Sequence, residues 1–327
     1  MNKNTLLLTA VFLGALATAP ASAQTVLKFS HYMDTSHAAH ASALQFAAKV
    51  AERTKGQVKV DVFSGSQLGA PPEQLQQVKL GTLDMGVPTQ GQLDKYEKAF
   101  AAVMMPFTFA DYAQAHRTLD GPVMAWLAPL AEKQGFVILS NWELGFRNLT
   151  TAKKVINTPD DVKGLKIRVP PEVQLEATME ALGAQVTKIA FPELYMALSQ
   201  GVVDGQENPY SVILSAKVYE VQKNLAVTRH MYNSMVHVMN LASWNKLTPE
   251  QQKIVREESV AAGNLMRKAV MNAEEEQLAK LQQLGMQVTR PDLAQFRARM
   301  GPANSKISAY AGEANVKKFL ELVGQSK

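Results

Sequence analysis

One pattern of residues occurs twice in this 327-residue chain and constrains its fold more than any other feature. Val58–Phe63 alternates apolar and polar side chains, the period of a half-buried strand. A polar turn, a helical segment from about Pro72 to Leu80, Gly81, two residues and Asp84 follow. Ala184–Ile189 then reads as a strand and Pro192–Gln200 as a helix, and Gly201 is again followed by two residues and Asp204. Each glycine stands where a helix ends in a left-handed residue. Strands that alternate with helices predict parallel pairing through βαβ units. The repetition predicts two similarly built lobes, each with its own sheet. Ligands of such sheets sit beyond the C-terminal strand ends, here near His31, Tyr32 and Pro88-Thr89-Gln90.

The remaining segments fill in an α/β chain. Val26–Ser30 and Leu83–Val87 read as strands, and Ser36–Arg53, Asp111–Leu119 and Val123–Lys133 as helices. Phe136–Leu139 is a strand, and Asn141–Arg147 leads away from it as a crossing between lobes. A further strand runs from Tyr232 to Leu241. Thr248-Pro249-Glu250-Gln251 is a capping box with proline in the first turn. It opens one very long helical pattern, ended by Gly285, that suits a brace between two lobes better than a coiled-coil dimer face.

Lys3, the apolar run Leu6–Ala17 and Ala21-Ser22-Ala23 read as a cleavable export signal over residues 1–23. The apolar run is shorter than the ~18 residues of a confident membrane span, so an exported, soluble, periplasmic chain is expected. The complete lack of cysteine excludes disulfides, thiol chemistry and a lipidated N-terminal cysteine. The net charge of +5 is scattered, with no basic run longer than Lys153-Lys154 or Lys317-Lys318. Nucleic-acid binding needs clustered charge and is not expected; a mild positive balance favours approach of small anions.

No enzyme constellation emerges. Ser64-Gly65-Ser66-Gln67-Leu68-Gly69 is not a nucleophile elbow, because Ser66 directly follows Gly65. His37 and His40 have a spacing that can hold a metal, but no third ligand accompanies them. No phosphate loop or dinucleotide fingerprint is present, and no cofactor is implied. A binding site does have candidates. In Gly164–Pro170, Leu165, Ile167 and Val169 alternate with Lys166 and Arg168, and Pro170-Pro171 stops the ladder. Arg168 therefore lies near a strand end, where its planar fork of donors matches a carboxylate. Arg147 follows Gly145-Phe146, and Asn208 lies in the turn Gly205–Pro209. Two arginines and an amide that converge between lobes hold a carboxylate through charge-assisted bonds.

Several motifs together make the chain resemble the solute receptors of tripartite ATP-independent periplasmic (TRAP) transporters, DctP type. They are Ser66–Gly69, Gly81–Asp84, Gly145–Arg147, Gly164–Pro170, Ala197–Pro209 and Tyr219–Lys223. The resemblance spans nearly the whole chain after the export signal. It implies a two-lobed α/β clamshell with hinge strands and a long lobe-bridging helix. The implied lobes are residues 24–144 plus 234–273 and residues 145–233 plus 274–327. It also implies capture of a small organic acid anion by a monomer that delivers it to a membrane permease. Arg168 falls on the arginine that pairs with the ligand carboxylate, Arg147 on the arginine that supports it, and Asn208 on the ligand-contacting asparagine. Glu207 reads either as a ligand contact or as the structural partner of a lobe arginine.

Thr89, followed by Gln90, stands where sialic-acid receptors carry a glutamate, and Tyr32 where they carry an asparagine, which argues against a sialic acid. Tyr32, Trp142, Phe191 and Tyr210 are candidates for a partly apolar pocket suited to a compact hydroxy or keto acid, or to an aromatic acid. A C4-dicarboxylate stays open if His31, Gln90 or Gln92 takes the second carboxylate. The alternatives from other classes are an exported enzyme and a ligand sensor on the same scaffold.

Overall fold

The computed structural model describes residues 24–326, and the segment read as an export signal lies outside the described residues. The first βαβ run comprises β1 (Thr25–Ser30), α1 (Ala38–Arg53), β2 (Val58–Phe63), α2 (Pro71–Leu80) and the short β3 (Met85–Gly86). Two 3-10 segments, Gln90–Lys95 and Lys98–Met104, lead to α3 (Tyr112–Thr118), a wide turn over Leu119–Val123, and α4 (Met124–Lys133). Next come β4 (Phe136–Thr151), β5 (Lys166–Val169), α5 (Val173–Ala181), β6 (Gln185–Lys188), α6 (Leu194–Ser199) and β7 (Gly205–Asn208). After α7 (Tyr210–Ser215), β8 (Asn224–Asn240) returns across the molecule. The chain closes with α8 (Leu241–Asn245), α9 (Pro249–Asn272), α10 (Glu274–Gln283), β9 (Gln287–Thr289), α11 (Leu293–Ala298), α12 (Gly301–Ala311) and α13 (Glu313–Gln325).

The echo has a structural meaning. Gly81 and Gly201 both take left-handed φ, 77° and 68°, which lets the chain leave its helix and turn back toward the sheet. Asp84 then caps the neighbouring strand: its Oδ2 accepts from the Lys28 amide at 2.7 Å while its own amide bonds the Lys28 carbonyl. Asp204 does the same to Lys166, with Oδ2 at 2.8 Å from the amide. One short motif thus solves one problem twice.

Instead of two separate sheets there is one continuous sheet, β2-β1-β3-β8-β4-β7-β5-β6, with β9 added to β8. Parallel sets occupy its two ends, and β3/β8, β8/β4 and β4/β7 pair antiparallel in the middle. The continuity comes from β4 and β8, of 16 and 17 residues, which are far longer than the strands expected at Phe136–Leu139 and Tyr232–Leu241. The segment expected to lead away is part of β4. Both strands are buried along nearly their whole length and lack a solvent face to mark them. Their register also slips between Ile138/Ser140, Glu143/Gly145 and Arg147/Leu149, which breaks the period-2 signal.

The long helical pattern is likewise two helices, interrupted at Ala273 (φ −95°, ψ 0°). α9 packs on α1 and β4, and α10 on α7, so the pair still braces both ends of the sheet. α12 lies against both α5 and the Lys98–Met104 segment, and α13 joins that segment to α3. Two apolar clusters flank the sheet, one centred on Phe100, Phe136 and Phe296 and the other on Phe29, Phe46 and Trp142. A third lies beneath α6, α7 and α10.

Candidate ligand-binding site

The C-terminal ends of β5 and β7 and the middle of β4 bring Arg168, Asn208 and Arg147 to one small enclosed cavity. Tyr32, Gln92, Glu172 and Phe191 complete its wall together with Pro170 and Pro171. Of the residues singled out in the sequence, Arg168, Arg147, Asn208, Tyr32, Gln92 and Phe191 therefore meet. Tyr32 and Phe191 pack edge to face, centroids 5.2 Å apart, and separate this cavity from a wider groove of about 510 Å³ on the outer side.

The two arginines have unlike surroundings. Arg147 is 2 % exposed and fully engaged. Its Nε and Nη2 both donate to the Glu207 carboxylate, with Nη2–Oε1 at 2.8 Å. Nη2 also reaches the Glu207 carbonyl at 2.7 Å and Asn208 Oδ1 at 3.1 Å, and Nη1 reaches Asn233 Oδ1 at 2.8 Å. Burial works against both charges, yet each partner sustains the other: Arg147 is held above its ordinary pKa and Glu207 below its own. Glu207 is thus the structural partner of Arg147.

Arg168 is 1 % exposed and its side chain makes one hydrogen bond among the described residues, Nε to the Ile189 carbonyl at 2.9 Å. Its Nη2 is buried with no hydrogen-bond partner among the described residues. Burial pulls this guanidinium down to about 10, Glu207 opposes that shift and Arg147 adds to it, and the group stays charged at neutral pH. A buried cation with a donor left unbonded is costly unless something completes it.

Opposite lies a group that the sequence reading passed over. Glu172, two residues beyond Pro170 at the start of α5, is fully buried. Its Oε1 accepts from Thr89 Oγ1 at 2.8 Å and from Gln92 Nε2 at 3.4 Å, whereas Oε2 has no partner among the described residues. Burial holds its carboxyl above the usual range, against the pull of Arg147. The one local signal is an acid close behind a strand-ending Pro-Pro pair, which an ordinary helix start also offers. Thr89 and Gln90 sit behind the wall: Thr89 bonds Glu172, and Gln90 Oε1 accepts from Ser234 at 2.7 Å.

His31 and Trp142 do not reach the cavity wall. His31 Nε2 is 3.1 Å from His40 Nδ1, and burial brings its pKa down to about 4. Trp142 lies in the core against Phe29 and His237, and its Nε1 donates to Ser140 Oγ at 3.1 Å and to the Ser259 carbonyl at 3.2 Å. An alternating aromatic looks the same in sequence whether it faces a core or a cleft. His37 caps α1 and contacts Ser211, so it and His40 serve separate contacts. Tyr210 joins the apolar cluster beneath α6, α7 and α10.

Two α/β ends joined by long shared strands, with buried charged groups gathered between them, define a two-lobed solute receptor. The sequence profile of DctP, bacterial extracellular solute-binding protein family 7, matches residues 29–310, and the chain belongs to that family, the solute receptors of TRAP transporters. The 2,3-diketo-L-gulonate-binding periplasmic protein YiaO of Escherichia coli is 34% identical over 276 residues, 84% of each chain. A TRAP receptor from Polaromonas sp. JS666 with bound D-erythronate is 32% identical, with a TM-score of 0.87 over 91% of this chain and 98% of the other. A receptor from Sulfurospirillum deleyianum with bound succinate is 30% identical, with a TM-score of 0.85 over 92% and 99%. Members of the family bind small organic acids, work with a membrane permease and are periplasmic.

Proposed function

We propose that this protein captures an organic acid anion by a salt bridge between the anion's carboxylate and Arg168, and delivers it to its permease. One observation carries the reading: Arg168 is buried at a strand end, lines a cavity between the lobes, and has a donor nitrogen without a partner among the described residues. A carboxylate satisfies that nitrogen and the charge together. Arg147 and Asn208 act on the ligand from behind, as the rigid, pre-satisfied floor that fixes where Arg168 stands. Tyr32 and Phe191, packed edge to face, form the apolar lid of the cavity and exclude water from it.

The cavity measures about 20 Å³, room for about one water molecule. No organic acid enters this conformation, so binding requires the lobes to part. The lobes in this reading are residues 24–144 with 234–273 and residues 145–233 with 274–327. They turn about β4 and β8 near Gly145, whose φ of 111° already breaks the strand geometry. Ligand that bridges the two walls stabilises the closed form, and the permease reads that form.

Titration calorimetry of the mature protein with D-erythronate, succinate and pantoate tests the reading. At least one of these acids binds the wild type, and Arg168→Ala lowers its affinity by about a hundredfold or more, as loss of a buried charge-assisted pair does. Unchanged binding by a folded Arg168→Ala protein would remove Arg168 from the site.

A further inference from the structure

We infer that Glu172 is a specificity-determining residue that selects hydroxylated monocarboxylates and rejects dicarboxylates. This rests on the assignment of Arg168 as the carboxylate-binding residue. Arg168 Nη2 and Glu172 Oε2 are buried groups in the wall of the same cavity, and each lacks a partner among the described residues. One is a cationic donor and the other an acceptor. A ligand that completes both offers a carboxylate at one end and a hydroxyl within reach of it. Gln92 adds to the pattern, since its Oε1 also lacks a partner among the described residues and its side chain lines the cavity.

In the closed conformation Glu172 is held facing the ligand. Its other oxygen is held by Thr89 and Gln92, which come from the opposite end of the sheet, so the residue ties the walls together while presenting Oε2. Charge then decides between acids. Arg147 is consumed by Glu207, which leaves Arg168 as the cation available to the ligand. A first carboxylate neutralises Arg168, and a second one meets Oε2 of Glu172, where an ionised Glu172 repels it strongly in the buried setting. A hydroxyl carries no such penalty, and it both donates and accepts, so it satisfies Glu172 in either protonation state. An ammonium group suits an ionised Glu172 but places a third cation beside Arg147 and Arg168.

The test is the ratio of affinities of D-erythronate and succinate, measured by calorimetry on the wild type and on Glu172→Gln. The variant keeps the shape and the Thr89 contact, and a melting curve confirms that it folds. We expect the wild type to prefer D-erythronate by at least about tenfold, and the variant to lose most of that preference, with succinate affinity rising. A preference for succinate in the wild type, or a ratio unchanged in the variant, would overturn the inference. Binding of L-alanine in preference to D-erythronate would overturn it as well, by assigning Glu172 to an ammonium group. Arg168→Ala in parallel separates the two levels. If it binds normally the carboxylate assignment fails, whereas an unchanged ratio in Glu172→Gln with loss of binding in Arg168→Ala refutes the role of Glu172 alone.

Discussion

Arg147 and Arg168 lie two strands apart in one sheet, both buried, and the difference between their surroundings separates what holds the site from what the site holds. Around Arg147 every polar contact is made inside the protein: a two-point pair with Glu207, and the amides of Asn208 and Asn233. Around Arg168, a residue of the cavity wall, the sheet provides one carbonyl and leaves a donor without a partner among the described residues. Satisfied buried charge rigidifies a structure, and unsatisfied buried charge waits for a partner. Equal burial therefore conceals opposite roles.

The largest expected effect follows directly. Arg147→Met leaves Glu207 buried beside a neutral side chain, and breaking one half of a buried pair costs about 3–5 kcal/mol. Arg168→Met breaks no ion pair, since Glu207 stays paired with Arg147 and Glu172 stays bonded to Thr89 and Gln92, so exchange for an apolar chain of similar length should cost far less. Urea unfolding of the two variants should differ by several kcal/mol in the stated direction. Equal losses would mean that Arg168 is as much a structural residue as Arg147.

This contrast also marks what the sequence could disclose. The strand-end position of Arg168 was legible from the alternation in Gly164–Pro170, and the duplicated Gly-x-x-Asp motif from its spacing, because both are local. Both readings of Glu207 were available, but the choice needed Arg147, which is 60 residues away in the chain and bonded to it across the β4/β7 pairing. Glu172 escaped because its partners Thr89 and Gln92 come from 80 or more residues earlier. Trp142 was drawn toward the pocket because nothing local distinguishes β4's core face from its cleft face. β4 and β8 were underestimated for the same reason: strands buried on both faces, with slipped register, have no alternation to read.

A second variant perturbs both arginines at once. β7 runs between the strands that carry them, and Gly205 pairs with Thr151 of β4 on one side and Ile167 of β5 on the other. A Cβ there would overlap the Thr150 carbonyl oxygen of β4 and press on Ile167 of β5 at 3.1 Å. The clash involves backbone, which cannot rotate away. Gly205→Ala should cost roughly 1–3 kcal/mol in stability and should weaken organic acid binding as well, because it pushes Arg147 and Arg168 apart. A variant that loses stability but binds normally would show that the spacing of β4 and β5 does not set the site.

The smallest effect per step is a pH dependence, at most about 1.4 kcal/mol per pH unit for each group, and it distinguishes the two regions by slope. On the Arg168 side, burial and then the charge of Glu172 raise the Asp94 carboxyl to about 7, with Gln174 and Lys95 opposing. Between about pH 4 and 7 the unfolded chain has released that proton while the folded chain keeps it, so stability is lost as pH rises through this window. Asp94→Asn removes the loss: its melting temperature should exceed that of the wild type at pH 8, by a margin that shrinks toward pH 4. On the Arg147 side, Glu207 is held below its ordinary value and its contribution disappears only in acid, so Glu207→Gln should lower the melting temperature by a nearly constant amount from pH 5 to 8. His31, His37 and His237, which burial brings down to about 4, 4 and 3, lower stability below about pH 6.5 in every variant and cancel in the differences. Melting curves across pH 4–8 that gave the same slope for both differences would contradict the division between a self-satisfied charge and an open one.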